Sequence, residues 1–173
     1  MGDRRGQRRV SEPYALANLL TRHAQPGRVD WIGLRPARKE PLLTVQLVEI
    51  DERGLVGDRH PSPGKRAVTL IQAEHLPVIA SLIGRETVDP LDLRRNIVVS
   101  GANLTALRKA IIRIGSAELR ITGPCAPCSR MEKTLGFGGY NAMRGHGGWC
   151  AEVTSPGCAA LGDKVEPVAP AQG

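Results

Sequence analysis

Between Thr122 and Val153 the chain reads TGPCAPCSRMEKTLGFGGYNAMRGHGGWCAEV, and this segment limits what the whole can fold into. A proline precedes each sulfur of Cys125-x-x-Cys128, and a Gly-rich run closes on Arg144-Gly-His-Gly-Gly-Trp-Cys150. Proline lacks the amide donor that a helix interior needs, and glycine costs about 1 kcal/mol per helical position. The segment is therefore expected to be loop, not ordinary helix. Its backbone can approach a ligand closely, and its thiols stand beside cations. The rest of the chain is expected to be the scaffold that holds it.

That scaffold reads as short strands. Ser11-Glu-Pro13 has the cap-type serine and early proline of a helix start. Tyr14 to about His23 follows, with Leu16, Leu19 and Leu20 at helical spacing, before Pro26-Gly27. Val29 to Leu34 suits a strand entering Arg35-Pro36. Leu42 to Ile50 (LLTVQLVEI) is the clearest strand, β-branched and free of Gly and Pro. Asp51 to Gly54 is a turn by composition. Ala67 to Ile71 reads as a strand, and Glu74 to about Ile83 as a short helix stopped by Gly84. Arg94-Arg95-Asn96 places two cations at the mouth of a strand ending at Ser100, and Asn103 to Leu107 can make one helical turn. Ile111 to Ile114 and Glu118 to Thr122 are strands joined through Gly115-Ser116; the second runs directly into Gly123-Pro124-Cys125. Trp149 to Val153 and Lys164 to Val168 form a last pair across Ser155-Pro156-Gly157.

Many short strands, few helices and regular turns predict a β-rich domain with a barrel or sandwich core. The expected boundaries are a disordered basic tail over residues 1–10, one domain over 11–168, and a loose end over 169–173. A chain of 173 residues can bury a core without staples, and with 3% aromatics that core rests on Leu, Ile, Val and Ala. No apolar run approaches the roughly 18 residues needed to cross a bilayer, and the N-terminus has charge without an apolar signal region. The chain is thus expected to be cytoplasmic, with reduced thiols and no membrane partner. The net charge is +7, of which the first nine residues supply +3. One Phe, two Tyr and two Trp are too few for a base-stacking platform, so nucleic acid is not expected as the primary partner.

On the residues alone the Cys-x-x-Cys stays open to several readings. A structural zinc site needs a second ligand pair, and Cys150 and Cys158 are separated by seven residues, outside the tight spacing of one turn. A thioredoxin-like pair belongs at a helix start within a βαβ unit, and no such pattern surrounds it. Two loop thiols without a role are a third reading. The fourth is a thiolate ligand or nucleophile in an anion-binding pocket, supported by Arg130 two residues beyond Cys128 and by Arg144 and His146 in the Gly-rich run. Cations near a thiol favour the thiolate, and thiolates select soft or high-valent transition metals.

Several segments, in one order, carry a resemblance. Gly54-Leu-Val-Gly-Asp58, Arg66-Ala-Val-Thr-Leu-Ile71, Arg94-Arg-Asn-Ile-Val-Val-Ser-Gly101, Ile114-Gly-Ser-Ala117 and the Pro-Cys-x-x-Cys are followed by Arg144 to Val153 and Gly162-Asp-Lys-Val165. Together they resemble the MOSC domain, the family named for the C-terminal domain of molybdenum cofactor sulfurases, from about Val29 to Val168. The resemblance implies a MOSC-like β-barrel and an anionic molybdenum cofactor (molybdopterin), in which a pterin dithiolene carries the metal. It implies Cys128 as the metal ligand and catalytic residue. The Lys65/Arg66 loop and the Arg94, Arg95, Asn96 segment, with Arg130, Arg144 and His146, are the implied cofactor-binding positions. Guanidinium forks suit such an anion.

The chain contains no pyridoxal-phosphate domain, and Lys65, Lys109, Lys133 and Lys164 lack a Schiff-base context, so pyridoxal phosphate is not expected. It is similar to the stand-alone bacterial members. For those the resemblance implies reduction of small N-hydroxylated substrates with an electron-donor protein. The alternative it implies is sulfur carriage as a cysteine persulfide with a sulfur-donor protein, or cofactor storage. A zinc-stabilised interaction domain stands beside both.

Overall fold

The structure, a computed structural model, describes residues 14–38, 40–59 and 63–168. The basic tail, the helix start at Ser11 to Pro13 and the loose end from residue 169 lie outside the described residues. In chain order the elements are α1 (Leu16–Leu20), β1 (Gly27–Leu34), β2 (Leu43–Thr44), β3 (Leu47–Asp51), β4 (Gly54–Leu55), β5 (Val68–Gln72), α2 (His75–Leu82) and α3 (Pro90–Leu93). There follow β6 (Ile97–Ser100), β7 (Ile111–Ile114), β8 (Ala117–Pro124), α4 (Ser129–Leu135), α5 (Gly139–Met143), β9 (Trp149–Ser155), β10 (Gly157–Ala160) and β11 (Lys164–Pro167).

Strands pair in the order β11-β7-β8-β9-β5-β6-β1-β2, and β11 also pairs with β1. Seven strands thereby close into a barrel, with β2 hydrogen-bonded beyond the end of β1. A second, three-stranded sheet runs β10-β3-β4. Closure removes the open edges that a flat sheet of this size would expose. Of the barrel or sandwich that the turn-rich pattern left open, the barrel implied by the resemblance is the fold found.

Alternation explains which way each strand faces. In β7 and β8, Ile112, Ile114, Ala117, Leu119 and Ile121 point into the barrel, while Arg113 and Arg120 point out. β5 and β6 are apolar on both faces because each covers two cores. Val68, Leu70, Ile97 and Val99 fill the barrel, whereas Ile71 and Val98 pack outward against Ile79, Leu93, Met131, Leu135 and Met143 of the helices. Burying each such aliphatic side chain stabilises by about 1.5–3 kcal/mol. β5 and β6 are parallel, which demands a crossover, and α2 with α3 supplies it across the barrel's outer face.

Three expectations need correction. Leu42 to Ile50 is not one strand: it breaks at Val45-Gln46, where the chain leaves β1 as partner and joins β10 in the other sheet. Local β-propensity cannot register a change of partner. Beyond Pro156 the chain re-enters a strand, β10, whose Gly-Cys-Ala-Ala composition carries little strand signal. The Cys/Gly segment is not all loop, since it contains α4 and α5. Ser129 to Leu135 holds neither Gly nor Pro, and Met131 and Leu135 bury one face of that helix. The flanking Pro127 and Gly136 bound the helix instead of forbidding it.

Candidate functional site

Strand β8 carries the chain to Cys125, whose amide donates to the Gly148 carbonyl at 2.8 Å and holds the cysteine loop against the start of β9. A Cβ at Gly148 would run into the Leu70 carbonyl, and its φ of +86° is one that L side chains rarely adopt, so only glycine fits this crossing. Cys128, extended (φ −114°, ψ 168°) and exposed, is the residue before α4. The turn after α4 is tied down by the Glu132 carboxylate, which accepts from the amides of Gly138 (2.8 Å) and Tyr140 (2.9 Å). Those bonds, Tyr140 first, hold its pKa below the usual carboxylate value.

Beside Cys128 lies an open cavity of about 420 Å³ walled by Arg35, Arg59, Arg94 and Arg130, with Glu40 and Asp92 at its margin. The four guanidiniums arrive from four places: after β1, after β4, at the end of α3, and on α4. Their proximity registers on Arg94, whose pKa is pulled down first by burial, then by Arg35, Arg130 and Arg59, while the Cys128 sulfur opposes the shift. Arg94 also adopts a left-handed backbone (φ +57°) at the end of α3. Such a conformation costs a non-glycine residue about 1–2 kcal/mol.

A polar network positions this wall. Buried Asn96 accepts from the Thr69 amide (3.1 Å) and hydroxyl (2.8 Å) and donates to Asp58 at 2.6 Å. Asp58 in turn faces Arg35 at 3.5 Å and accepts from the Arg59 amide at 2.8 Å. The Nε of Arg35 is buried and has no hydrogen-bond partner among the described residues. Burying such a donor unpaired costs about 1–3 kcal/mol.

A second pair of thiols sits behind the loop. Cys125 and Cys150 are buried and hydrogen-bonded to one another. The bond from Cys150 lowers the Cys125 pKa to about 6, with Arg95, Arg66 and Arg35 adding to it against the opposing effect of burial. Cys150 is pushed up by the same bond and by burial. Because the thiolate is the nucleophile, Cys125 alkylation is expected to rise with pH to a half-point near 6 and then level off, instead of climbing towards the ordinary thiol value of 9.0. Peptide-resolved mass spectrometry of iodoacetamide labelling over pH checks this; a rate still rising tenfold per unit above about pH 8 would refute it.

Of the positions read from the sequence, Arg94 and Arg130 wall the cavity and Cys128 adjoins it. Asn96 supports the wall from below, through Asp58. Arg95 is buried, and its three nitrogens donate to the carbonyls of Gly147 (2.5 Å), Leu93 (3.0 Å) and Cys125 (3.1 Å). Lys65 and Arg66 are exposed outside the cavity wall; the Lys65 carbonyl accepts from Thr122, and Arg66 acts on the Cys125/Cys150 pair. Arg144 is exposed, and His146 packs edge-on against His75 with ring centroids 5.2 Å apart. Sequence reasoning missed Arg35 and Arg59. Each follows a strand or its turn, and that position at a barrel end was the available signal. Among the described residues no group of three or more His, Cys, Asp or Glu could hold a metal ion, so the four cysteines do not gather as a zinc site.

The architecture is a closed barrel with an arginine-walled cavity at one end of its strands, beside one exposed thiol. The MOSC domain model matches residues 51–166, two-thirds of the chain, and the chain belongs to the MOSC family. No curated protein matches it. Among solved structures it is similar to the YuaD protein from Bacillus subtilis, with 20% identity, TM-score 0.73, and 82% of this chain and 94% of that one covered. It is also similar to YiiM from Geobacillus stearothermophilus (19% identity, TM-score 0.68, 86% and 78% covered) and YiiM from Escherichia coli (21%, 0.65, 84% and 72%). These likenesses establish the fold, and the family is associated with molybdenum cofactor binding. Among the described residues no helix is long and apolar enough to cross a membrane.

Proposed function

We propose that the protein binds the molybdenum cofactor, that Cys128 is the single protein ligand to the metal, and that the loaded protein reduces small N-hydroxylated compounds. The observation that carries this reading is the arginine wall, with a buried Arg35 Nε lacking an acceptor among the described residues, adjoining one exposed cysteine. Four guanidiniums against two carboxylates suit a pterin phosphate, and a soft thiolate suits the metal. When bound, the cofactor would supply two-electron redox chemistry at a metal held by the Cys128 sulfur. The chain's residues bind and orient: Arg35, Arg59, Arg94 and Arg130 hold the anion, while Asp58, itself held by Asn96, faces the Arg35 guanidinium and accepts from the Arg59 backbone amide. Electrons come from a separate donor protein.

Metal analysis of protein made in a cofactor-competent host tests it, together with a reduction assay using an artificial donor. Molybdenum near one per chain with turnover supports the reading. Zinc alone would support an interaction domain. The exposure of Cys128 favours one second reading, sulfur carriage, which requires a labile sulfur adduct on Cys128 and no molybdenum. Arg94→Ala is expected to lower cofactor retention about tenfold or more, the cost of a charge-assisted hydrogen bond being about 1.5–3 kcal/mol. Arg144→Ala, outside the wall, is expected to stay within about 0.5 kcal/mol. Equal losses in the two variants would place the anion elsewhere.

A further inference from the structure

Cys125 and Cys150, 5% and 4% exposed, do not line the arginine cavity. The β8–β9 ladder brings them together: Cys150 lies opposite Gly123, and the Cys125 amide bonds the Gly148 carbonyl at 2.8 Å. The two thiols are therefore diagonal neighbours across antiparallel strands, and they hydrogen-bond one another. Arg95 is locked beside them, donating to the Cys125 carbonyl at 3.1 Å, and Arg66 acts on the same pair. Cys125 also forms part of the wall of a separate pocket of about 250 Å³, with Pro124, Pro127, Met143, Gly147 and Trp149; Cys150 does not. Of the two cysteines, Cys125 is the one that lines a pocket.

We propose that Cys125 and Cys150 form a second reactive centre that reduces small hydroperoxides, with Cys125 as the attacking sulfur and Cys150 as the resolving thiol. The Cys125 thiolate attacks the terminal oxygen of ROOH; the S–O bond forms, the O–O bond breaks, and the leaving alkoxide takes a proton to become ROH. Sulfur is oxidised by two electrons to a sulfenic acid, and the peroxide is reduced by two. The Cys150 sulfur then displaces hydroxide from that sulfenic acid, its own proton completing the water, and a Cys125–Cys150 disulfide forms. Overall, two thiols and ROOH give a disulfide, ROH and water. An external dithiol restores the pair by thiol–disulfide exchange. Arg95 and Arg66 stabilise the negative charge on the attacking sulfur, and the pocket admits only small peroxides.

This proposal is independent of the molybdenum reading. The full chain, reduced and desalted, is treated with equimolar hydrogen peroxide and digested with trypsin without reduction. Cys125 and Cys128 fall in the peptide Ile121–Arg130, and Cys150 and Cys158 in Gly145–Lys164. The expected product is a crosslink between these peptides, mapped by fragmentation to Cys125 and Cys150, with thiol loss at least tenfold faster than in Cys125→Ser. Cys158→Ser is expected to keep the crosslink, and Cys150→Ala to replace it with a dimedone-trapped sulfenic acid on Cys125. Cys128→Ser is expected to lose molybdenum yet keep the crosslink, which separates the two centres. Mapping in the unaltered chain does not depend on any variant folding. A disulfide joining Cys125 to Cys128, or thiol loss no faster than in Cys125→Ser, overturns the proposal.

Discussion

Molybdenum is expected to be absent from Cys128→Ser and largely retained by Cys125→Ser when both are made in a host that supplies the cofactor. Ligand chemistry sets the size of the effect. A serine hydroxyl is harder than a thiol and far less acidic, so it stays protonated at neutral pH and cannot replace a thiolate on a soft or high-valent metal. Position sets the difference between the two sites. Cys128 is exposed, adjoins the arginine wall and acts on Arg94, whereas Cys125 is buried and engaged with Cys150. A serine at position 125 still offers Cys150 a hydrogen-bond partner, so the loop that presents Cys128 is kept. Elemental analysis after gel filtration decides the matter. Full occupancy in Cys128→Ser would remove the cysteine ligand from the proposal, and loss in Cys125→Ser alone would move it to the other sulfur.

The barrel was legible where burial repeats with the period of a strand. Ile111 to Ile114 and Glu118 to Thr122 alternate cleanly because one face is dry and the other wet, and the structure pairs them as β7 and β8. Ala67 to Ile71 was legible for a different reason: a run that is apolar but for Thr69 suits a strand between two cores. Leu42 to Ile50 failed because its interruption has no composition of its own, only a change of partner. The cavity was half legible. Arg94 and Arg130 stood out beside Asn96 and Cys128, but the meeting of Arg35 with Arg59 is a product of barrel closure and of a 2.6 Å bond from the Arg59 amide to the Arg35 carbonyl. Residue type also misleads about depth. Arginine is rarely buried, so nothing in the Arg94-Arg95 pair announces that the first faces a cavity and the second lies inside the fold. The pairing of Cys125 with Cys150 likewise depends on a register between β8 and β9 that includes an irregularity between Ile121 and Gly123.

Replacing Arg95 by methionine is expected to destabilise the protein by about 3–5 kcal/mol, a larger effect on folding than any cavity arginine should show. Its guanidinium is a brace. The carbonyl acceptors belong to three segments, the end of α3, the cysteine loop and the Gly-rich return to β9. Methionine keeps most of the aliphatic volume but leaves three carbonyls without this donor, and each hydrogen bond to a charged group is worth about 1.5–3 kcal/mol. Lysine is expected to recover only part of the loss, since a single ammonium cannot span acceptors that a planar fork reaches. For a chain of this size the fall in melting temperature should be on the order of 10 °C. Burial is the main cause that lowers the pKa of the Arg95 guanidinium, and the neighbouring cysteines oppose it. Its removal should also raise the pH at which Cys125 becomes alkylated, because one of the charges favouring that thiolate is gone. Denaturant unfolding and pH-resolved labelling measure both. A methionine variant of unchanged stability that nevertheless loses the cofactor would make Arg95 a ligand contact after all, and the three carbonyl bonds incidental.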